Sequence, residues 1–494
     1  LSEFWQAFGN LCTPVHLAYV GLGVFLGITV GAIPGLTGAM LIALVLPLTF
    51  YMNNILAMEL LVSIYVGSIS GGLITAILLR IPGTPAAIVT TFDGYPMAKS
   101  GRPGRAVGIG ITASFFGGLI SSIILILLSP PLSAFALKFG PFELFSLVLM
   151  ALVLIASIGQ GSFIKGLISG LLGLLVACPG VDPVTSNMRF TFGFEQMAGG
   201  LNIVPILIGM FGISQIINDV INVERRVESI PIKFSGMFLS LKELKEQAIN
   251  IIRSAVIGTW IGILPGVGGS IGSIVSYSAA KNASRTPEKF GEGSEEGIIA
   301  SEAANNGTIG GAFIPMLSLG IPGSVVTAVL MSALILHNVA PGPLLFRDHP
   351  DIAYSIIATT FVANVVMALI MVLACCFMAR LVDVPKAFLV PGILTFSIIG
   401  TFALNNRFFD VWLMFIFGLI GYVMEKAKVP LGPFVIGLIL CQIAESNLRA
   451  GLMFSQGSIM PLFTRPIALI FFVVAVATLG WTLYGKYKER HHAL

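Results

Sequence analysis

The chain has 494 residues, of which 56% are hydrophobic and 10% charged, with a formal net charge of +4; soluble domains carry about 25% charged residues. Apolar stretches recur to the last residues, which a cleaved leader or single anchor cannot explain, and they are continuous where an outer-membrane barrel would alternate. The small positive balance, with Lys486, Lys488 and Arg490 near the end, fits a cytoplasmic C-terminus and not a nucleic-acid surface.

Taken in chain order, the first apolar segment carries Gly27 and Gly31 and is interrupted at Pro34-Gly35, just before Thr37. The next carries Gly67 and Gly71 and is interrupted at Ile81-Pro82-Gly83-Thr84. A basic loop with Lys99, Arg102 and Arg105 follows, then a run from Leu144 to Ile158, then a polar stretch at Asp182 to Gln196. Residues 223–250 form a charged linker, in which Ser240 and Glu243 are spaced as a capping box and Leu241, Leu244, Ala248 and Ile251 share a stripe. The expectation is an amphipathic helix lying along the cytoplasmic interface. Beyond it come Gly258, Gly262 and Pro265-Gly266, then Glu302-Ala-Ala-Asn305-Asn306-Gly307 opening the segment that leads to Ile321-Pro322-Gly323-Ser324. Long runs at Ile352 to Ala379 and Ile467 to Leu483 complete the chain.

The second series repeats the first. Gly27 to Gly38 matches Gly258 to Gly269 at an offset of 231 residues, and Gly67-x-x-x-Gly71 and Ile81-Pro-Gly-Thr84 match Gly307-x-x-x-Gly311 and Ile321-Pro-Gly-Ser324 at an offset of 240. A weaker match joins Pro205 to Gly209 with Pro433 to Gly437. Lys and Arg mark cytoplasmic loops, and equivalent loops carry opposite bias: Lys99, Arg102 and Arg105 in one, Arg347 alone in the other. The expected fold is therefore an all-α polytopic membrane protein of two inverted-topology repeats with broken or re-entrant helices, roughly 10 to 14 membrane segments. Its expected divisions are 1–222, the linker 223–250, 251–450, and a C-terminal helix with a basic tail at 451–494.

Proline removes a donor and glycine permits positive φ, so each Pro-Gly pair predicts a helix broken inside the bilayer. Irregular backbone there is tolerated where it is buried in protein or lines a cavity, and a half-helix starting at a break offers its N–H groups to an anion. Candidate substrate-binding residues are accordingly Pro34, Gly35, Thr37, Pro82, Gly83, Thr84, Gly266, Gly268, Ser270, Asn305, Asn306, Pro322, Gly323 and Ser324. An amide offers a carbonyl oxygen to sodium and N–H donors to a carboxylate, so a sodium ion is expected near Gly35, Gly266, Asn305, Asn306 and Thr308. The GxxxG pairs are expected to bring helices close instead of binding a ligand.

Catalytic motifs are missing. There is no Walker A loop and no H-E-x-x-H; Gly266-Val-Gly268-Gly269-Ser270-Ile271-Gly272 imitates a dinucleotide fingerprint with its last glycine one place late and no βαβ unit around it. His16, His337 and His349 sit near predicted ends and are expected to meet water. Cys12, Cys178, Cys375, Cys376 and Cys441 show neither zinc nor disulfide spacing, so no cofactor is expected.

Gly31-Ala-Ile-Pro-Gly35, Ile81-Pro-Gly-Thr84 with Phe92-Asp-Gly-Tyr-Pro-Met-Ala98, Gly262-Ile-Leu-Pro-Gly266, Glu302-Ala-Ala-Asn-Asn306, Phe313 to Ser324 and Asn338-Val-Ala-Pro-Gly-Pro343 resemble the large membrane subunit of the tripartite tricarboxylate transporters, TctA, over nearly the whole chain. The resemblance implies a bacterial inner-membrane secondary transporter subunit for a di- or tricarboxylate, driven by sodium or protons. It also implies two partners, a small TctB-like membrane subunit and a TctC-like periplasmic binding protein. The reading is uptake by alternating access, of elevator type if the later portion of each unit is a static scaffold. A symporter needing no binding protein, and an assembly subunit that moves nothing itself, are the alternatives.

Overall fold

In lipid every backbone amide must be satisfied within its own segment, so long apolar runs fold as helices and chain breaks are confined to protected places. The structure, a computed structural model, describes residues 2–158, 162–182, 185–221, 230, 237–381 and 386–492. The first helices are α1 (Ser2–Leu11), α2 (Pro14–Gly31), α3 (Gly38–Thr49), α4 (Asn54–Leu79), α5 (Thr90–Lys99) and α6 (Pro103–Ala136). They are followed by α7 (Pro141–Ile158), α8 (Phe163–Ala177), the short antiparallel pair β1 (Gly180–Val181) and β2 (Met188–Arg189), and α9 (Ile203–Leu207), which runs through a π-turn into α10 (Ser214–Ile221). The second series is α11 (Leu241–Ile263), α12 (Gly268–Ala283), α13 (Glu295–Leu319), α14 (Val325–Leu336), α15 (Leu345–Asp348) and α16 (Pro350–Leu381). Then come α17 (Lys386–Asn405), α18 (Phe408–Lys426), α19 (Leu431–Phe454), α20 (Pro461–Thr464) and α21 (Pro466–His492). Among the described residues seven helices are long and apolar enough to cross a bilayer, and six apolar helices are shorter. The protein is all-α and polytopic.

The four Pro-Gly pairs expected to break membrane helices all fall between helices, whereas Pro103-Gly104 and Pro391-Gly392 lie within α6 and α17. Pro34-Gly35 separates α2 from α3, and Pro265-Gly266 separates α11 from α12. Helices α3 and α14 have 12 residues each, roughly 18 Å at 1.5 Å per residue, short of a layer of about 30 Å. Helices α4 and α13 end alike, on a left-handed residue, Arg80 and Gly320. The next N–H turns back six residues in both, Ile81 to Thr75 and Ile321 to Pro315.

The centre is built on α4 and α13, nearly all of whose residues are buried. Gly27 and Gly31 of α2 press on Ile64, Gly67 and Ser68 of α4, and Gly258 and Gly262 of α11 press on Ala304, Thr308 and Gly311 of α13. The glycine spacing thus does the packing work expected of it. The same close approach seats the second breaks: a Cβ on Gly83 would stand 2.1 Å from the Gly31 carbonyl oxygen, and one on Gly323 would stand 2.6 Å from that of Gly262. Each Ile-Pro-Gly turn therefore rests on the last turn of the helix that precedes the first break.

Helices α7 to α10 and α17 to α19 pack mainly on one another, and α3 and α14 reach them from the central group. The capping box at Ser240 and Glu243 is present, but α11 then runs without interruption to Ile263. Residues 241–250, the last part of the expected linker, and the first segment of the second series are one helix, because nothing between Ile249 and Ile252 breaks the helical pattern. On its stripe Ile251 is buried and Leu241 is 86% exposed. Arg225, Arg226 and Lys233 lie outside the described residues.

Candidate functional site

At mid-length α4 and α13 are joined by Ser70, whose hydroxyl donates to Asn306 Oδ1 at 2.7 Å, while Asn306 Nδ2 donates to the Glu302 carbonyl at 3.2 Å. This stretch is expected from sequence to open a helix at the membrane surface. Instead Ser294 caps α13 by accepting from the Gly297 N–H, and Glu302, Asn305 and Asn306 come two to three turns later with no exposed surface. The acidic first turn, Glu295 and Glu296, moves the helix start upstream.

The two series of helices approach each other at the second breaks. Ser324 caps α14 in a capping box with Thr327, and its hydroxyl meets Tyr65 OH of α4 at 3.3 Å. At the equivalent place in the first series Thr84 precedes Pro85, and the chain makes a four-residue 3-10 turn, Pro85–Ile88, before α5 begins at Thr90. Thr84 Oγ1 is buried without a hydrogen-bond partner. So are both amide atoms of Asn305, the residue that stands where Tyr65 stands in α4. Around Gly269 at the start of α12, Asn305 Oδ1, Ala86 Cβ and Thr308 Oγ1 lie 2.8, 2.9 and 3.2 Å from where a Cβ would be. The glycine keeps that space free of a side chain, and Ser270 beside it is buried.

The main-chain donors expected to meet a ligand are largely occupied. Gly83 N–H donates to the Gly72 carbonyl at 3.4 Å, Gly266 N–H to the Gly323 carbonyl at 3.0 Å, and Ser324 N–H to Thr327 Oγ1 at 2.8 Å. Thr37 Oγ1 accepts from Met40 N–H as the cap of α3. Pro34 and Gly35 lie apart from the Asn305 group and face Gln215 and Asp219 of α10. Gly268 holds φ at +70° with open space around it, and Pro322 lies in the turn that α13 and α14 enclose. The structure thus brings Asn305, Thr308 and Ala86 of the Thr84 turn around Gly269 at one junction, with Ser270 beside it, while Gly266 pairs with Gly323 and Ser324 meets Tyr65 elsewhere.

Several residues that the sequence does not single out complete this region. Asp93 of α5 is buried, and its Oδ1 accepts from the N–H groups of Gly291, Gly293 and Ser294 at 2.7 to 2.9 Å while Oδ2 accepts from Tyr277 OH at 2.8 Å. It ties the first unit's second break to the loop before α13. On the other side His337, at the end of α14, meets Asn54 at 3.0 Å and Thr49 at 3.2 Å. His16 meets the buried Glu59 at 2.7 Å, and Ser355 donates to the same carboxylate at 3.0 Å. Both histidines have side-chain partners instead of the water expected from sequence. The offset of 240 residues that pairs Tyr65 with Asn305 and Thr84 with Ser324 is the one sequence signal that could have found the first junction.

The chain is similar to known proteins over nearly its whole length. It is 34% identical over 490 residues, 99% of this chain and 97% of the other, to a 52.8 kDa protein from the TAR-I ttuC' 3' region of Agrobacterium vitis. It is also 34% identical over 211 residues, 43% of this chain and 87% of the other, to a protein from the TAR-II ttuC' 3' region of the same organism. No solved structure matches it. Residues 17–436 match the Tripartite tricarboxylate transporter TctA family, and with broken membrane helices at the places its motifs mark, the chain belongs to that family of transporter subunits.

Proposed function

We propose that this chain is the membrane pathway through which a di- or tricarboxylate enters the bacterial cytoplasm, delivered by a TctC-like periplasmic binding protein and assisted by a small TctB-like membrane subunit. Its C-terminus lies in the cytoplasm. Residues 1–222 and 251–450 act as two inverted units, and alternating access carries the central helices past the group formed by α7 to α10 and α17 to α19. The cargo sits at the Thr84, Gly269, Ser270 and Asn305 junction, with the asparagine amide and the hydroxyls as its hydrogen-bond partners.

The observation that carries this reading is the set of three unpartnered polar atoms, Asn305 Oδ1, Asn305 Nδ2 and Thr84 Oγ1, buried at the middle of the protein. An unmade hydrogen bond at such a place costs about 1–3 kcal/mol per group, a cost that a ligand removes. Cation coupling follows from charge. No Lys or Arg is among the buried residues described, so a multiply charged anion at this depth needs positive charge brought with it. A sodium ion in the neighbourhood of Asn305 meets that need.

The test is uptake of radiolabelled citrate, with succinate and malate as competitors, into proteoliposomes holding the chain with its small subunit and binding protein. Asn305→Ala is expected to raise the KM about tenfold or more, the scale of one lost hydrogen bond to a charged group. Unchanged affinity for both carboxylate and cation would remove Asn305 from the site.

A further inference from the structure

Glu302 is the one fully buried carboxylate of α13, and no lysine, arginine or histidine pairs with it among the described residues. Its partners are hydroxyls. Thr90 of α5 donates to Oε1, Ser114 of α6 donates to Oε2 at 3.1 Å, and Thr90 Oγ1 also meets Ser301 Oγ at 3.1 Å. Hydroxyl dipoles do not neutralise a charge, and an ionised carboxylate held away from water without a counter-charge costs several kcal/mol even after relaxation. One helical turn further on, Asn305 places its amide close enough to this carboxylate to interact with it, but neither of its polar atoms meets a partner at full hydrogen-bond geometry. The group therefore lacks one positive charge, and a neighbouring amide lacks a partner.

We propose that Glu302, with the oxygens of Thr90, Ser114, Ser301 and Asn305, binds a sodium ion. The donor set is entirely oxygen, which selects a hard cation, and it carries a single negative charge. Calcium takes six to eight oxygens, usually with more than one carboxylate, and magnesium insists on a near-ideal octahedron with several waters, so neither suits a dry pocket with one carboxylate. A proton on Glu302 would also neutralise the charge, with its O–H donating to the neighbouring amide oxygen; sodium differs in drawing on several oxygens at once, and a sodium-specific response separates the two.

The placement links ion to cargo. Thr90 follows the Thr84 turn on the same limb of chain, Ser114 belongs to α6, and Glu302 and Asn305 belong to α13. An ion held by all three elements fixes the Thr84 turn against Asn305, the junction assigned to the carboxylate above. The inference rests on the cation-coupled reading and adds the residues that hold the cation.

Equilibrium binding of radioactive sodium to the purified full complex, together with its melting temperature in sodium against choline chloride, tests this directly. Wild type is expected to bind sodium and to melt higher in sodium than in choline, since a ligand that binds only the folded state stabilises it. Glu302→Gln should lose both responses, and Ser114→Ala should bind sodium about tenfold more weakly, the scale of one lost oxygen partner. Absence of a sodium-specific response in wild type, or its survival in Glu302→Gln, overturns the proposal. If Glu302→Gln does not fold, the wild-type titration and Ser114→Ala decide alone. Citrate counterflow measured on the same preparation separates the two readings. Counterflow without sodium binding removes the ion site and leaves the carrier, whereas sodium binding with no carboxylate bound or moved leaves the ion site and removes the carrier.

Discussion

Tyr65 and Ser324 join the two units by a 3.3 Å hydrogen bond between hydroxyls, while Asn305 and Thr84, which occupy the equivalent positions, leave their polar side-chain atoms unpaired. One junction is closed by a protein hydrogen bond, and the other is the position proposed for the cargo. Removing the closed bond should therefore matter little to affinity. Ser324 keeps its capping box with Thr327 in Tyr65→Phe, and the loss of one neutral hydrogen bond is worth about 1 kcal/mol. Citrate KM in proteoliposomes is expected to change by less than about tenfold in Tyr65→Phe and by more than that in Thr84→Val, on the same scale of bond energies. The opposite order would place the cargo at the Ser324 junction.

Gly269 and its neighbour separate space from strain. A Cβ at Gly269 would lie 2.8 Å from Asn305 Oδ1 and 2.9 Å from Ala86 Cβ, so Gly269→Ala intrudes on the proposed cargo position. Gly268 has nothing within 4 Å but holds φ at +70°, which costs an alanine roughly 1–2 kcal/mol. Transport by Gly269→Ala should fall sharply with a melting temperature close to wild type, and Gly268→Ala should melt lower while keeping its KM. Thermal unfolding and uptake measured on one preparation distinguish these outcomes, and equal loss of transport in both would mean that the free volume at Gly269 has no part in binding.

The four breaks were readable because proline and glycine act on the backbone within a turn and because each pair recurs at the matched place in the second series; Pro391-Gly392, which has no such match, lies inside α17. The capping box at Ser240 and the glycine pairs that set α2 on α4 and α11 on α13 were readable for the same reason. What escaped depends on contacts between distant parts of the chain. Polar residues such as Glu302 and Asn306 suggest a helix end when seen alone, and only the cap at Ser294 shows that they lie in its middle. Asp93 finds its partners about 200 residues away, at Gly291, Gly293 and Ser294, so nothing near it in sequence signals its role. After Thr84 a short 3-10 turn intervenes before α5 begins at Thr90, and the main-chain donors of Gly83, Gly266 and Ser324 are bonded within the protein.

Asp93 acts as a latch on the loop before α13. Three main-chain N–H groups converge on its Oδ1 and Tyr277 donates to Oδ2, an arrangement that only an ionised carboxylate satisfies fully. Asn at this position keeps one acceptor oxygen and turns a second donor toward the tyrosine hydroxyl. Hydrogen exchange over residues 291–297 is expected to quicken by about tenfold or more in Asp93→Asn, from the 1.5–3 kcal/mol typical of bonds to charged groups. Tyr277→Phe, which spares the three main-chain bonds, should show less. Exchange at wild-type rates in Asp93→Asn would mean that the loop is held by other contacts.

Arg105 holds the start of α11 to the start of α13, with its guanidinium 2.6 Å from Glu243 and 2.9 Å from Glu295. The Ser240 N–H and hydroxyl, and after them Arg105, stabilise the ionised form of Glu243 and hold its carboxyl down to about 2 from the usual 4.5. A depressed carboxylate stabilises the folded state above its unfolded value, and that contribution disappears as pH falls from about 4.5 through about 2. At neutral pH the contact is therefore complete, and acid or Glu243→Gln should release it. A nitroxide at the exposed Lys242 reports the change: its mobility is expected to rise in Glu243→Gln at pH 7, and in wild type only as the pH is lowered toward about 2, where the folded-state carboxylate protonates. Arg105→Gln should loosen the label less, since Ser240 still caps the helix. Salt should discriminate between the two, because the half-exposed ion pair is screened while the cap is not. Label mobility that rises with salt in wild type but not in Arg105→Gln assigns the docking to Arg105, and mobility indifferent to salt, acid and both substitutions would leave the linker helix anchored by Ile251 and its apolar neighbours alone.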